Sequence, residues 1–321
     1  MASPNVSEIA TTTLRKRSGK LADAVSNNTA LLYRMKGKGK IRPVSGGRTI
    51  LEEIDYQENS TYKRYSGYEA LDITPSDVFT AAEFNWKQMA VAVIMSGLEM
   101  LQNSGAEQVI DLMESRITNA ERTFMNNMSN DLYSDGTADG GKQLVGLQAL
   151  VSDAGDGVVG GIDSSAWAFW ANQVFDFSAN SLTAGPTTIQ TAMNTLYLDL
   201  CRNRDHPDLC VADNTYYNHY WQSLQAIQRI SNDNLGQAGF SNLKFMNMDV
   251  VADGGLDGDA PAAHMWFLNT DFIYLRPHSK RNFVPLSPDR YSTNQDATVK
   301  LMAWAGAFTT SNRRQQGVIV A

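Results

Sequence analysis

The longest helical pattern in the sequence runs from residue 104 to residue 133. Apolar side chains recur there at steps of three or four residues, the period of one helix face: Val109, Met113, Ile117, Ala120, Phe124 and Met128. Ser104 and Glu107 have the spacing of an N-terminal capping box, and Asp135-Gly136 is a stop signal. Such a helix is about 43 Å long at about 1.5 Å per residue. We therefore expect a long helix whose apolar stripe packs against a sheet.

Extended patterns precede this helix. Residues 48–74 predict a long hairpin that turns at residues 58–60 and returns through Thr61–Tyr65. Residues 82–96 predict one strand, because they are rich in valine and isoleucine. A two-stranded ribbon is marginal in water by itself. The hairpin therefore needs another surface to lie on, from its own domain or from another copy of the chain.

Shorter elements follow in the second half of the chain. The predicted elements are a helix from Thr187, a buried strand at 208–213, an aromatic helix capped by Asp213, a strand at 242–253, a pair of strands at 265–269 and 272–277, and strands at 297–310 and 317–320. The strand at 297–310 is expected to return to the first sheet. This order indicates an α+β fold with one domain inserted in another.

Composition favours an ordinary globular chain, with 43% apolar and 19% charged residues in 321. The longest uninterrupted apolar run is Met89–Met95, whereas a membrane span needs about 20 residues. The first residues do not have the basic-then-apolar pattern of a signal peptide. We therefore expect neither a membrane partner nor export by a signal peptide.

Charge is distributed unevenly. The chain carries −7 overall, but the part through Arg48 carries +8 and residues 49–83 carry −6. Residues 1–47 contain few apolar residues and predict an extended arm. Three interpretations of this arm are open: a solvated tail, an arm that becomes ordered on a partner, or a tail that neutralises nucleic-acid phosphates. The adjacent opposite charges favour self-complementarity, including contact between copies.

Four patterns imitate chemical motifs. Gly136–Lys142 has the spacing of a phosphate-binding loop, but Gln143 replaces the Ser/Thr that binds magnesium and a helix precedes the loop. Gly155–Gly160 matches a dinucleotide fingerprint without the strand that must precede it. The three acids at 253, 257 and 259 lack the spacing of a calcium loop, and the four histidines lack metal-site spacing. We therefore predict no catalytic residue, no metal site and no cofactor.

Several stretches in this order resemble the major capsid protein of tailed bacteriophages with the Hong Kong 97-type fold. They are FNWKQMAVAVIMSGLEMLQNSG, AEQVIDLMESRITNAERTFMNNMSNDLYSDGT, GGKQLVGLQALV, HPDLCVADNTYYNHYW, FLNTDFIYLRPH and AWAGAFTTSNRRQQGV. The resemblance implies an α+β capsid fold divided as follows: an N-terminal arm at 1–47, an extended hairpin loop (E-loop) at 48–75, a peripheral domain at 76–174 with the spine helix at 104–133, an axial domain at 175–268, and a return to the peripheral domain at 269–321.

The function that this resemblance implies is structural. The chain is expected to be a major capsid protein that self-assembles into hexamers and pentamers of an icosahedral bacteriophage head. Its expected partners are other copies of itself, a separate scaffolding protein, a cement protein, and packaged double-stranded DNA held by weak, non-specific contact. Assembly is expected in the host cytoplasm, and the final location is the virion. Two alternatives are the shell of a bacterial nanocompartment and a nucleotide-binding enzyme that uses Gly136–Lys142.

The charge distribution then predicts particular contacts between subunits. The E-loop is expected to point away from its own domain, which directs its acids toward a neighbour. We expect four cations of the arm, Arg15, Lys16, Arg17 and Lys20, to lie near four acids of an adjacent subunit's hairpin, Glu52, Glu53, Asp55 and Glu58.

Overall fold

The computed structural model describes residues 29–102, 106–224, 242–253, 260–286, 290–291 and 296–321. Within these residues the helices are α1 (Ala30–Gly37), α2 (Gly97–Gln102), α3 (Ala106–Leu132), α4 (Ala138–Gly141), α5 (Leu147–Leu150), α6 (Ile189–Leu200) and α7 (Asn214–Ser223), with a 3-10 turn at Ala168–Trp170. The first strands are β1 (Ile50–Asp55), β2 (Phe79–Phe84), β3 (Lys87–Ser96), β4 (Val158–Val159), β5 (Ile162–Asp163), β6 (Gln173–Asp176), β7 (Leu209–Ala212) and β8 (Asn242–Phe245). The later strands are β9 (Met248–Ala252), β10 (Met265–Leu268), β11 (Ile273–Pro277), β12 (Val284–Pro285), β13 (Arg290–Tyr291), β14 (Ala297–Thr310) and β15 (Gly317–Val320).

The long helix α3 confirms the main helical prediction. Ile117, Ala120, Phe124 and Met128 are all buried, so the predicted stripe is the face that meets the core. The helix packs on β3, and the Phe124 ring meets the Phe283 ring edge-on at 5.5 Å. Ser104, the predicted cap, lies outside the described residues. After α3, Gly146 must be glycine, because a Cβ there would lie 2.4 Å from the Asp131 carbonyl oxygen.

A five-stranded sheet lies under this helix, and β14 is its central strand. β14 pairs antiparallel with β3 from Ala297–Ser96 to Gly306–Lys87, which confirms its predicted return to the first sheet. It also pairs with β11, β12 and β13. The predicted single strand at 82–96 is wrong in one respect, because residues 79–84 and 87–96 are two strands of different sheets.

A six-stranded sheet, in the order β6-β15-β10-β7-β9-β8, lies between two hydrophobic cores. In β7, Leu209 and Val211 face the core that contains α3, whereas Cys210 and Ala212 face the core that contains α6 and α7. All four side chains of β7 are buried, which is why the strand is an apolar run without alternation. Asp213 caps α7 as predicted, since its carboxylate accepts a hydrogen bond from the Tyr216 amide at 2.9 Å.

Two predictions for the second half need correction. The strands β10 and β11 do not pair with each other, because the connection Asn269–Asp271 carries the chain from the six-stranded to the five-stranded sheet. The predicted strand at 242–253 is a hairpin of β8 and β9, with Met246 at a φ of 51° in its turn. The final strand β15 pairs with β10 and β6 in the six-stranded sheet, and the predicted division of the chain into domains stays a prediction.

The N-terminal region is also less extended than expected. Residues 30–37 form α1, whose Leu31, Leu32 and Met35 are buried in the core. Residues 41–44 then continue beside β11, with the Arg42 amide bonded to the Leu275 carbonyl oxygen at 2.9 Å. Tyr33 and Arg34 separate Leu32 from Met35 in the sequence, so the common face of these apolar side chains is apparent only in the helix. The prediction of an extended arm through residue 47 is therefore wrong for residues 30–37.

Candidate assembly surfaces

A ribbon of β1 and β2 carries the predicted hairpin loop. The two strands pair antiparallel from Ile50–Phe84 to Asp55–Phe79, and residues 56–78 connect them. The predicted return at Thr61–Tyr65 is wrong, because the returning strand is β2. One face of the ribbon is buried, and it carries Ile50, Ile54, Ala82 and Phe84. Because β2 supplies half of this buried face, the chain returns only after residue 78.

The ribbon is anchored to the five-stranded sheet through Glu52. This carboxylate accepts two hydrogen bonds of 2.7 Å from the Arg276 guanidinium, and a third of 2.7 Å from the Thr309 hydroxyl. Glu52 is only 4% exposed. The expectation that Glu52 faces the arm of a neighbour is therefore wrong, because its charge is already compensated inside its own subunit. Its role is to fix the base of the ribbon.

The loop at 56–78 exposes large apolar and aromatic side chains. Tyr62, Tyr65 and Tyr68 are 76%, 62% and 109% exposed, and Leu71 and Ile73 are 52% and 92% exposed. A monomer gains nothing from apolar side chains held in water, whereas contiguous exposed apolar surface is typical of interaction sites. This loop is therefore the first candidate assembly surface.

The other predicted interface residues are placed as follows. Glu53, Asp55 and Glu58 are exposed, and none of them forms an ion pair within the described residues. Arg15, Lys16, Arg17 and Lys20 lie outside the described residues. The contact between these acids and cations therefore stays a prediction.

Sequence reasoning missed a polar cluster that fixes α1 to the body of the subunit. The Arg34 guanidinium and the Lys38 ammonium approach the Asp208 carboxylate to 2.9 and 3.1 Å. Asp208 also accepts hydrogen bonds from the amide and hydroxyl of Thr270, at the crossing between the two large sheets. The alternation of lysine and glycine at residues 36–40 resembled a flexible tail. Asp208 is 174 residues from Arg34 in the sequence, so no local pattern identified it as the partner of Arg34 and Lys38.

A second missed feature is the burial of Arg313 under the glycine-rich loop at 152–164. Its guanidinium donates to the carbonyl oxygens of Leu150 and Asp156 at 2.8 and 2.7 Å, and to the hydroxyl of Ser152 at 3.0 Å. Desolvation lowers the pKa of Arg313 to about 10. These hydrogen bonds hold the loop that contains Gly155–Gly160 against the body of the subunit.

The structure places the other motif-like segments as follows. Gly136–Lys142 follows α3 and contains the single-turn helix α4, so no strand leads into it. Asp253 accepts a hydrogen bond from the Tyr133 hydroxyl, whereas Asp257 and Asp259 lie outside the described residues. No group of three metal-ligating side chains occurs in the part of the chain that the structure describes. Among those same residues, no helix combines the length and apolar character that crossing a bilayer requires.

Comparison with known proteins defines the fold. No protein-family model matches the chain, and no curated protein matches it either. The structure is similar to the capsid asymmetric unit of cyanophage A-1(L), with a TM-score of 0.61 and 14% identity over 88% of this chain and 90% of that one. It is also similar to the capsid of a native GTA particle, with a TM-score of 0.57 and 11% identity over 89% of both chains.

A third similar structure is from Mycobacterium phage Bobi, with a TM-score of 0.53 and 10% identity over 88% of this chain and 89% of that one. The similarity covers nearly nine-tenths of each chain. The chain therefore has the α+β fold of phage capsid proteins, the Hong Kong 97-type fold that the order of its sequence landmarks predicted.

Proposed function

We propose that this chain is a major capsid protein, a structural subunit that assembles into hexamers and pentamers of an icosahedral phage head. The observation that carries the proposal is the similarity to capsid subunits over 88% of the chain. The exposed loop at 56–78 supports it, because an anchored ribbon that presents uncovered apolar side chains is suited to contact another copy. The role is non-enzymatic, and the location is the virion after assembly in the host cytoplasm.

Assembly follows from repeating one heterologous contact. A contact in which one surface of a subunit meets a different surface of the next closes into a ring, and rings tile into a shell. A single exposed ion pair contributes about 0–1 kcal/mol. The same pair repeated in every subunit stabilises a whole shell substantially, even though each contact by itself is weak.

The expected partners are other copies of the chain, a scaffolding protein, a cement protein and packaged double-stranded DNA. The net charge of −7 is compatible with weak, non-specific DNA contact, because few phosphates would be neutralised. Contact with scaffold is expected before DNA enters, and contact with cement protein on the completed shell.

The direct test is assembly of the purified chain, alone and with a co-expressed scaffolding protein. Sedimentation should show capsomers or large particles, and electron microscopy should show closed shells. A chain that stays monomeric under both conditions would contradict the proposal. Shells that copurify with an enzyme and contain no DNA would favour a nanocompartment instead.

We also propose that the four arm cations contact the exposed acids of an adjacent hairpin, now Glu53, Asp55 and Glu58 without Glu52. Reversing the charges of Arg15, Lys16, Arg17 and Lys20 should reduce particle yield while the circular dichroism spectrum stays unchanged. Reversing the three acids as well should restore part of the yield. Normal shells from the arm variant alone would contradict this contact.

A further inference from the structure

A groove of about 790 Å³ opens beside the edge of β2 that does not pair with β1. One wall is the ribbon, and the other is the loop of β4 and β5, which is attached by the hydrogen bond from the Glu83 amide to the Gly160 carbonyl oxygen at 2.8 Å. The close approach requires Gly160, because a Cβ there would lie 2.7 Å from the Ala82 Cβ. The fold therefore builds this groove from two fixed elements.

Aromatic rings form much of its lining. Tyr56 stacks on Phe169 with ring centroids 5.2 Å apart, and its edge meets Trp167 at 6.0 Å. Trp167 is 52% exposed and Phe79 is 74% exposed, so these rings remain open to solvent in the subunit. Exposed ring faces are partners for hydrophobic side chains and for cations.

The charged side chains of the groove are all acidic. Asp77, Glu83 and Asp163 line it, and its lining contains no lysine or arginine. Glu53 and Asp55 adjoin it, because they pair across the ribbon with Ala81 and Phe79, which line the groove. None of these five carboxylates forms an ion pair within the described residues.

The groove offers carboxylates that no cation compensates, together with exposed aromatic faces. A segment that is rich in arginine or lysine and also carries an apolar side chain fits such a surface. The chain contains one such segment outside the described residues. Leu14–Lys20 carries four cations and no acid, whereas all the other undescribed segments together carry one cation, Arg229. Arg34, Lys38 and Lys40 already form ion pairs with acids of their own subunit.

We propose that this groove is the docking site for the Leu14–Lys20 segment of a second copy of the chain. The inference rests on the proposed capsid function and deepens it, since it assigns a docking site to the arm. The cations are bound by Asp77, Glu83 and Asp163 with Glu53 and Asp55 at the margin, and Trp167 and Phe79 cover Leu14 and the guanidinium groups. This docking site uses only exposed acids and does not require Glu52.

Binding can be measured apart from assembly. The receptor is the full chain with Arg15, Lys16, Arg17 and Lys20 replaced by glutamine, so that its own arm does not compete. The probe is a fluorescein-labelled peptide of residues 10–22, and the readout is fluorescence anisotropy. We expect saturable binding that weakens at least tenfold when all four cations of the peptide are replaced by glutamine. Equal binding of the two peptides would overturn the proposal.

Receptor variants locate the site. Glu83→Gln with Asp163→Asn should weaken peptide binding at least tenfold, and Trp167→Ala should weaken it more than Trp167→Phe. The matched control removes two exposed acids elsewhere, Asp139→Asn with Asp205→Asn, and should leave binding unchanged. Unchanged binding to the groove variants, or an equal loss in the control, would overturn the proposal.

The origin of the arm is tested in particles. A photo-crosslinking residue replaces Ser18, and equal amounts of isotopically heavy and light chains are assembled together. Crosslinks to residues 77–83 or 163–169 that join a heavy to a light peptide are expected. Crosslinks confined to one isotope, or to another surface, would overturn it. Peptide binding without particles would instead count against the capsid function alone, and particles without peptide binding against the groove alone.

Discussion

The six-stranded sheet and the β1–β2 ribbon use alternating side chains in opposite ways. In the sheet, both faces of β7 and β10 are buried, because a separate core covers each face. In the ribbon, only one face is buried, and Leu51, Glu53 and Asp55 of β1 are exposed on the other. The sheet is therefore stabilised by its own chain. The ribbon has a free face, and in a shell another copy is available to cover it.

The stability of the subunit and its assembly should therefore depend on different regions of the molecule. A substitution in the body of the subunit should change the free energy of unfolding. A substitution in the loop at 56–78 should change the yield of particles and leave the free energy of unfolding of the subunit unchanged. The following predictions are ordered by their expected effect on unfolding, and each is measured on the unassembled subunit by chemical denaturation.

The largest effect is expected at the contact between α3 and the five-stranded sheet. Phe124 is 4% exposed and packs against Phe283, so Phe124→Ala should lower the free energy of unfolding by about 3–5 kcal/mol. Asn126→Ala, on the exposed side of the same helix, should change it by less than about 0.5 kcal/mol. Equal losses in the two variants would show that the stripe does not define the buried face.

The next effect is expected where the ribbon joins the body. Glu52→Gln leaves the Arg276 guanidinium without its carboxylate and should cost about 2–3 kcal/mol. Glu53→Gln changes the adjacent but exposed acid and should be nearly neutral for unfolding. The comparison fails if Glu53→Gln destabilises the subunit as much as Glu52→Gln does.

A smaller, pH-dependent effect is expected at His264, which lies against Trp266 and contacts the Asp153 carboxylate at 3.0 Å. Burial disfavours the charged imidazole, but hydrogen bonds to Asp153 and to the Ala262 carbonyl oxygen outweigh this effect and raise the pKa of His264. A pKa raised in the folded state stabilises the fold below about pH 6.5, and this stabilisation is lost as the pH rises through the folded-state pKa.

His264→Gln should therefore cost up to about 1 kcal/mol near pH 5.5 and less near pH 8.5, because Asp153 is partly exposed and the pair is screened. Asp153→Asn is the partner control and should show the same pH dependence. A cost of His264→Gln that is independent of pH would mean that the contact is not electrostatic.

The smallest effect on unfolding is expected in the loop. Ile73 is 92% exposed, so Ile73→Ala should change the free energy of unfolding by less than about 0.5 kcal/mol. Particle yield should nevertheless decrease, and more so when Tyr68→Ala is added. Normal yield from the double variant, measured by sedimentation, would exclude these side chains from the interface between copies.

Local pattern was sufficient for the strongly periodic elements. The stripe of α3 and the cap of α7 by Asp213 were predictable because each depends on residues close in sequence, and the strand β14 was predictable because it is a long, largely apolar run. The order of these landmarks also predicted the fold, which the similarity to capsid structures confirms.

Only the tertiary structure decided which partners each element meets. Glu52 and Glu53 are equivalent in sequence, but the pleat of β1 turns one toward Arg276 and the other toward solvent. Ile50 and Ile54 could pair with any alternating segment, and the shared buried face selected β2 instead of Thr61–Tyr65. Arg313 lies in the connection between β14 and β15, yet it is buried because carbonyl oxygens distant in sequence accept its hydrogen bonds. Periodicity determines which face of an element is apolar, whereas long-range packing determines what covers that face.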